Sequence, residues 1–223
     1  MTRVLIVAPA WIGDMVMAQS LVAALKARDP DGAVDLIAPP WTALLGERMP
    51  GVRESLVIDQ AHGRLDLLHR LEVGRGLRGR YDLAIVLPRS LKSALVPFAA
   101  GVRRRRGYLG EMRYVLLTEP RALDKARLPR TIDQFTALAG SSGEAPSVRD
   151  PVLTADPEAA RALALRFGLD LSRPVIALCP GAEYGPAKQW PENHVADLGR
   201  RLLAEGHDLW VFGSPKEQAL GES

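Results

Sequence analysis

The sequence contains little cysteine and no long apolar run. Because Cys179 is its single cysteine, no intrachain disulfide can form, and a cysteine-based metal cluster is not expected. The four histidines show no paired spacing for metal ligands. Every apolar run is interrupted by a charged residue or proline well before the ~20 residues that a membrane-spanning helix needs. The apolar residues 4–8 are too few for a signal peptide, so we expect a cytoplasmic protein.

Positive charge is concentrated in one part of the chain. Residues 64–130 contain 16 Lys and Arg against 6 Asp and Glu, a net charge of +10, whereas the other residues carry a net charge of −7. Apolar residues make up 47% of the chain and charged residues 25%, a balance typical of folded domains. One basic segment in an otherwise acidic chain indicates either an anionic partner or a solvated basic surface.

Short apolar segments alternate with amphipathic stretches along the chain, which predicts βαβ units around parallel sheets. Strands are predicted at residues 4–8, 34–38, 57–58, 81–87, 103–109, 174–178 and 208–212. Helices are predicted at residues 14–28, 65–77, 90–98, 128–139, 157–167 and 191–204. A stretch rich in glycine and serine, residues 140–147, is typical of a linker. We therefore expect an α/β fold with one Rossmann-like domain at 1–150 and the beginning of a second at 151–223.

The loop after the first predicted strand, residues 9–14, carries a carboxylate at the edge of the sheet where ligands bind. A dinucleotide-binding fold would have a G-x-G-x-x-G motif here, but this loop contains a single glycine, Gly13. The missing motif, and the missing acid after the second strand, argue against a dinucleotide-dependent oxidoreductase. Asp14 has two interpretations: a catalytic group, or an acid that stabilises the positive end of the following helix.

The loop at residues 179–191 follows another predicted strand and precedes a helix. Backbone N–H groups near Gly181 and Ala182 could bind an anion, and Lys188 adds a positive charge just before the helix. Such an arrangement suits a diphosphate leaving group. A structural loop with a surface lysine explains the same residues equally well.

Four segments resemble the lipopolysaccharide heptosyltransferases of glycosyltransferase family 9: residues 11–17 (WIGDMVM), 87–98 (LPRSLKSALVPF), 110–114 (GEMRY) and 179–188 (CPGAEYGPAK). The resemblance implies a GT-B fold, in which an acceptor-binding and a donor-binding Rossmann-like domain face each other across a cleft. It also implies an inverting transfer of L-glycero-D-manno-heptose from ADP-heptose to the heptosyl-Kdo2-lipid A inner core of lipopolysaccharide, without a metal or other cofactor.

The resemblance also gives individual residues a role. Asp14 matches a general base that takes the proton of the acceptor hydroxyl, and its place at a helix N-terminus leads us to expect a low pKa. Lys188 matches a lysine that neutralises the departing diphosphate. Further donor-binding residues would be Gly13, Gly181, Ala182, Glu183 and Tyr184. Acceptor-binding residues, which would face phosphates and Kdo carboxylates, would be Lys92, Ser93, Arg106 and Arg113.

The implied partners are ADP-heptose, the inner-core acceptor and the anionic inner face of the inner membrane, where the basic segment would hold the protein peripherally. Nucleic acid is not expected, because no aromatic residues interleave with the basic ones. The sequence departs from the family pattern at Arg89, at the basic run 103–106, and in the absence of a later donor-binding loop. We therefore expect residues 1–223 alone to transfer no heptose. The alternative is a non-catalytic module that binds a sugar phosphate or lipid.

Overall fold

The computed structural model describes residues 1–59, 66–170, 172–182, 186–214 and 217–218. The chain forms two compact units, Met1–Ala155 and Asp156–Ser223. This division lies five residues after the predicted boundary at 150. Residues 151–155 stay with the first unit because their backbone is tied to it. The N–H of Val152 donates to Oε1 of Gln19 (3.0 Å), and the N–H of Thr154 donates to the Arg48 carbonyl (2.8 Å).

The first unit is built on a sheet of six parallel strands in the order β3–β2–β1–β4–β5–β6. These strands are β1 Arg3–Val7, β2 Ala33–Ala38, β3 Glu54–Val57, β4 Leu83–Val86, β5 Arg104–Tyr108 and β6 Glu119–Arg121. The strand order changes direction between β1 and β4, which are hydrogen-bonded neighbours with Val4 opposite Leu83. This is the order of a doubly wound, Rossmann-like sheet, so the predicted α/β architecture is confirmed.

The helices of the first unit are α1 Ile12–Arg28, α2 Pro40–Gly46, α3 Leu67–Gly76, α4 Leu95–Ala99 and α5 Thr131–Ala137. A short 3-10 helix, Leu91–Ala94, precedes α4, so the single helix predicted at 90–98 is in fact two elements. The sequence analysis did not predict α2, because Pro39 and Pro40 were interpreted as the end of a strand. Proline is tolerated in the first turn of a helix, where its missing N–H has no intrahelical partner.

Helices cover both faces of the sheet, which explains why β4 is apolar at every position and β1 is apolar at every position after Arg3. On one face, α1 packs its apolar stripe against strands β1, β2 and β4, with these residues in the shared core: Met15, Leu21, Val22, Ile6, Leu36 and Ile85. On the other face, the core contains Leu5, Ile37, Ala84, Val86, Val96 and Ala100. Because successive side chains of a strand point to opposite faces, neighbouring residues such as Leu5 and Ile6 contribute to different cores.

A carboxylate is buried within the sheet. Asp35, on β2, has no exposed surface, and its carboxylate accepts hydrogen bonds from Nε of Arg53 (2.9 Å) and from the Tyr81 hydroxyl (2.7 Å). Burial, followed by the hydrogen bond to Asp35, raises the pKa of Tyr81. The network joins β2 to the segments that precede β3 and β4, so it fixes the positions of three strands.

We predict that Asp35→Ala lowers the free energy of unfolding by about 2–4 kcal/mol, because it leaves the buried Tyr81 hydroxyl without this acceptor and removes a fully buried carboxylate that pairs with the half-exposed Arg53. Urea denaturation would measure the change. Asp82→Asn is the matched control, because Asp82 also pairs with an arginine, Arg3, but both side chains are about half exposed. Solvent screens such a pair, so its loss should cost much less. Equal losses for both variants would contradict this account.

The second unit contains α6 Pro157–Arg166, β7 Val175–Leu178, a 3-10 helix Pro186–Lys188, α7 Glu192–Ala204 and β8 Asp208–Val211. Strands β7 and β8 pair in parallel, with Val175 opposite Asp208. All four predicted regular elements of this region are therefore confirmed. Helix α6 begins at Pro157, as predicted. The Asp156 carboxylate stabilises this helix end, because it accepts hydrogen bonds from the N–H groups of Glu158 and Ala159. Among the described residues, no helix is both long and apolar enough to cross a bilayer.

Candidate functional site

A cavity of about 420 Å³ lies at the carboxyl ends of β1 and β4. The strand order reverses between these two strands, so the chain leaves them toward opposite faces of the sheet and a crevice remains between the loops. The loop after β1 and the loop after β4 both line it, together with side chains from α3 and α5. Its volume lies within the range of small-molecule sites. The topology alone thus places a binding site next to Asp14.

Asp14 lies in the first turn of α1 and lines the cavity. The N-cap position belongs to Trp11, and no side chain caps this helix end, so Asp14 is an acid of the first turn, where it can interact with the positive end of the helix. Asp14 is partly buried, and this burial raises its pKa. The expected low pKa is therefore wrong: the loss of hydration outweighs the favourable helix end. A raised pKa makes the Asp14 carboxylate a stronger base than an ordinary aspartate.

Two tryptophan side chains also line the cavity. Trp11 follows β1, and Trp41 follows β2, where its indole Nε1 donates a hydrogen bond to the Ala10 carbonyl (2.7 Å). This bond ties the loop after β2 to the loop after β1. Flat indole faces suit the apolar faces of a sugar ring. The sequence analysis missed Trp41, although its place directly after a predicted strand was a usable signal.

Positive side chains reach the cavity from three segments of the first unit. Lys92, from the 3-10 helix after β4, and Arg89, from the preceding loop, both line it, and so does Arg70 from α3. Ser93 lines it too, and its hydroxyl lies 2.6 Å from the Ser90 carbonyl oxygen, to which it donates. The structure thus brings Lys92 and Ser93 together with Asp14, and it adds Arg70, which the sequence analysis did not single out.

Arg113 is fully buried, and its guanidinium donates to the carbonyls of Tyr108, Pro88 (2.5 Å) and Ser90 (3.2 Å) and to Oγ of Ser93 (3.1 Å). Burial lowers its pKa to about 10. Arg113 therefore clamps the loop after β4 onto the end of β5. The structure does not support the predicted direct contact with an acceptor, because the charged group is already surrounded by the protein's own oxygen atoms.

The Arg106 guanidinium likewise binds groups of the protein itself. It is buried on β5, where it pairs with Glu119 (2.7 Å) and donates to the carbonyls of Leu138 (2.7 Å) and Gly140 (3.0 Å). It is not among the described residues that line the cavity. A direct acceptor contact is therefore not supported for Arg106 either. Its neighbour Arg105 donates to the Leu116 carbonyl (2.6 Å), so part of the basic segment serves to tie loops together.

The donor-binding residues predicted in the second unit follow β7. At Gly181, a Cβ would lie 1.7 Å from Oε1 of Glu217, so a larger residue there would require this flexible side chain to move. Glu217 in turn accepts hydrogen bonds from the N–H and the hydroxyl of Ser214, both at 2.7 Å. These bonds lower the pKa of Glu217. Lys188 is exposed at the end of its 3-10 helix.

Of the remaining predicted residues, Ala182 is partly exposed and adjoins Gly181 in the same loop. Glu183 and Tyr184 lie outside the described residues. Gly13 belongs to the first unit, in the first turn of α1, where it is exposed and a Cβ would meet no atom within 4 Å. This open position does not require glycine for packing, so the structure leaves room at Gly13 for a ligand.

We predict that Arg113→Lys lowers the free energy of unfolding by about 2 kcal/mol or more, because lysine cannot satisfy several separate carbonyls at once. Urea denaturation measures this loss. A residue that contacted the acceptor directly would behave differently: its replacement would leave stability within about 0.5 kcal/mol of the wild type and weaken only binding. That second result would restore the original role of Arg113.

Comparison with known proteins agrees with this architecture. The sequence model of glycosyltransferase family 9 (heptosyltransferase) matches residues 70–222. Lipopolysaccharide heptosyltransferase 2 of Escherichia coli is 42% identical over 98% of this chain and 65% of its own length. Lipooligosaccharide heptosyltransferase 2 of Haemophilus influenzae is 41% identical over 99% of this chain and 66% of its own length. The chain thus spans about 65% of the length of these relatives.

Solved structures give the same result. The E. coli ADP-heptose lipopolysaccharide heptosyltransferase II matches all of this chain and 67% of its own, with a TM-score of 0.90 and 41% identity. The E. coli heptosyltransferase WaaC with ADP-2-deoxy-2-fluoro heptose has a TM-score of 0.70 but 19% identity, so it supports the fold alone. These matches confirm the predicted GT-B type of α/β fold. Since the family model covers more than half of the chain, the protein belongs to glycosyltransferase family 9, the heptosyltransferases.

Proposed function

We propose that the protein takes part in the transfer of L-glycero-D-manno-heptose from ADP-heptose to the heptosyl-Kdo2-lipid A inner core of lipopolysaccharide. Membership of the heptosyltransferase family supports the reaction class, and the names of the two relatives support heptosyl transfer to lipopolysaccharide or lipooligosaccharide. The observation that carries the proposal is the partly buried carboxylate of Asp14, with its raised pKa, on the wall of the cavity at the switch point of the sheet.

The proposed reaction is a single displacement with inversion. The acceptor hydroxyl oxygen attacks the anomeric carbon of the donor, and the bond from that carbon to the diphosphate oxygen breaks, so that ADP leaves. The hydroxyl proton passes to Asp14, which acts as the general base. Burial helps this step, because a carboxylate with a raised pKa accepts the proton more readily. No metal or other cofactor is part of the proposal.

The donor would be held by the second unit. Lys188, at the end of its 3-10 helix, would offset the charge that develops on the diphosphate as it leaves. The backbone at Gly181 and Ala182 would approach the donor, as would Glu183 and Tyr184. In the first unit, the open position at Gly13 would leave space for the donor sugar.

The acceptor would bind in the first unit. Lys92 lines the cavity beside Asp14, and Ser93 fixes the loop that carries Lys92. Because the acceptor is anchored in a lipid, we also propose that exposed basic residues hold the protein at the anionic inner face of the inner membrane. The protein would accordingly act in the cytoplasm, and nucleic acid is not among the proposed partners.

We predict that Asp14→Asn lowers kcat/KM for heptosyl transfer by 10²–10⁴-fold in the full-length protein, with acceptor binding retained, because a positioned general base contributes about this much. In the wild type, kcat/KM should fall as the pH is lowered through the pKa of Asp14. That fall should begin above the value of about 3.9 that is ordinary for aspartate. A radiolabelled-sugar transfer assay and calorimetric binding would measure both quantities.

Asp31→Asn is the matched control, because it removes the same charge from an exposed turn at the opposite end of the sheet. The free energy of unfolding of Asp14→Asn distinguishes a catalytic base from an acid that only stabilises the helix. Since the raised pKa means that the charged form is disfavoured in the folded protein, the asparagine variant should lose no stability at pH 7. A loss of about 1 kcal/mol with near-normal transfer would instead indicate an acid that only stabilises the helix.

A further inference from the structure

Three apolar side chains are exposed in the connection between β5 and β6, residues 109–118. Met112 is 85% exposed, Tyr114 64% and Val115 82%. Single exposed apolar residues are ordinary on a protein surface, whereas a contiguous group marks a candidate interaction site. The connection consists of turns rather than a helix. It buries Arg113 and Leu117 against the first unit but leaves its outer side chains in water.

The exposure of these side chains is fixed by the residue that stands between two of them. Arg113 follows Met112 and precedes Tyr114, and its guanidinium is fully buried among backbone carbonyls of the first unit. Its N–H also donates to the Gly110 carbonyl (3.2 Å), and its own carbonyl accepts a hydrogen bond from the N–H of Leu116 (3.1 Å). The inward anchor at Arg113 therefore turns the neighbouring side chains toward solvent.

The backbone before Arg113 has an unfavourable conformation. Glu111 and Met112 have positive φ angles of 42° and 50°, a region that residues other than glycine rarely adopt. The Glu111 carboxylate accepts a hydrogen bond from the N–H of Leu91 (2.8 Å), which holds this turn against the 3-10 helix after β4. Strained residues are found mainly at functional sites, where the surrounding structure maintains them. The strain brings no gain to the core here, because the Met112 side chain lies in solvent.

Basic side chains lie at both ends of this apolar group. At one end, Gly110 packs against Arg89, because a Cβ on the glycine would lie 2.6 Å from the Arg89 carbonyl oxygen, and Arg89 is exposed. At the other end, Nε of Arg105 donates to the Leu116 carbonyl (2.6 Å). The Arg105 guanidinium also lies over the ring of Phe98, 5.4 Å from its centroid. Phe98 is exposed in turn, so it extends the apolar surface.

An anionic bilayer is the partner that fits this surface. Apolar side chains gain free energy when they enter the boundary between headgroups and acyl chains, and tyrosine is favoured at the headgroup level. Basic side chains beside them are attracted to the negative lipid surface. Residues 103–117 contain five arginines and one acid, Glu111, which already binds the Leu91 N–H. A second copy of this chain fits less well, because a symmetric dimer would bring the same arginines face to face.

We propose that the connection 109–118 is a membrane-inserting element, in which Met112, Tyr114 and Val115 enter an anionic bilayer while the neighbouring arginines remain at the level of the lipid phosphates. The inference rests on the proposed function, which brings the protein to the anionic inner face of the inner membrane. It adds an apolar contribution to the attraction of the basic residues, and it assigns the attachment to one segment of the chain.

The attachment also brings the cavity to the lipid surface. Tyr108, at the end of β5, lines the cavity, and the connection begins at the next residue. An acceptor anchored in the same bilayer therefore meets the protein on the side where the connection inserts.

Binding of the 223-residue chain to vesicles tests this element without the transfer reaction. The vesicles contain phosphatidylethanolamine and phosphatidylglycerol, and co-sedimentation measures the partition coefficient. The double variant Met112→Ser, Val115→Ser should lower this coefficient about tenfold or more, because the apolar contact with the bilayer is lost. High salt should weaken the binding of both proteins but keep their ratio, because salt screens the arginines and not the apolar contact.

Val152→Ser is the matched control, because Val152 is also an exposed valine of the first unit but lies beside α1, on the other face of the sheet. It should bind vesicles as the wild type does. A fluorescent label provides a second measurement. With Cys179→Ser as background, an environment-sensitive dye on Met112→Cys should shift to shorter wavelength when vesicles are added and should be quenched by spin-labelled lipid. The same dye on Val152→Cys should show neither change.

Three results would overturn the inference, and each can be told apart from a failure of the proposed chemistry. If the double variant binds vesicles as the wild type does and the dye at position 112 stays in water, the connection does not insert. If the wild type binds no vesicles, the proposed membrane attachment fails as well, whereas transfer to a lipid-free acceptor still tests Asp14. If the double variant instead changes only the sedimentation coefficient in solution, the surface binds a second copy of the chain.

Discussion

The adjacency of β1 and β4 in the centre of the sheet determines where every part of the candidate site lies. Because the strand order changes direction between them, the chain turns to opposite faces after Val7 and after Val86. The space between the two loops cannot be filled by either crossover, and it becomes the cavity. Asp14 enters it from one loop, and Lys92 enters it from the other. Neither residue depends on an unusual local structure for its position, because the sheet topology places both at the cavity.

The chemistry of the cavity follows from a competition between two electrostatic effects. The N-terminus of α1 stabilises negative charge on Asp14, whereas partial burial destabilises it. Burial dominates, so the pKa of Asp14 rises. The same loss of hydration acts on Arg70 with the opposite sign and lowers its pKa. In a poorly hydrated site, the charged form of each residue is disfavoured, so the Asp14 carboxylate is a stronger base and the Arg70 guanidinium gains more from a hydrogen-bond acceptor. In such a site, charge-assisted hydrogen bonds to a ligand are stronger than they would be in water.

The sequence predicted much of the fold, and the reasons for success and failure are local. Helix α1 has apolar residues at helical spacing, and the central strands are short continuous apolar runs, so their existence and type were clear. The strand β6 escaped prediction because its residues, Glu119–Arg121, include no apolar side chain other than proline. It is held instead by parallel pairing with β5 and by the ion pairs that Glu119 makes with Arg104 and Arg106. Tertiary contacts of this kind leave no periodic pattern in the sequence.

In the candidate site, too, some features could be predicted from the sequence and others could not. Asp14 and Lys92 lie in the first helical turns after β1 and β4, so their place at one edge of the sheet could be predicted. The burial of Arg113 could not, because a basic segment is expected on the surface, and only the structure shows the carbonyl groups that surround this guanidinium. Arg70 was missed because its helix position has meaning only once Gly74 brings α3 against α4.

The central claim is that burial makes the Asp14 carboxylate a better base than an ordinary aspartate. The most direct test is a carbon-13 NMR titration of the aspartate carboxyl groups in the 223-residue chain, with Asp14→Asn used to assign the signal. The account predicts a midpoint for Asp14 above the ordinary value of about 3.9. A midpoint at or below that value, as expected for a well-hydrated acid in the first turn of a helix, would contradict it.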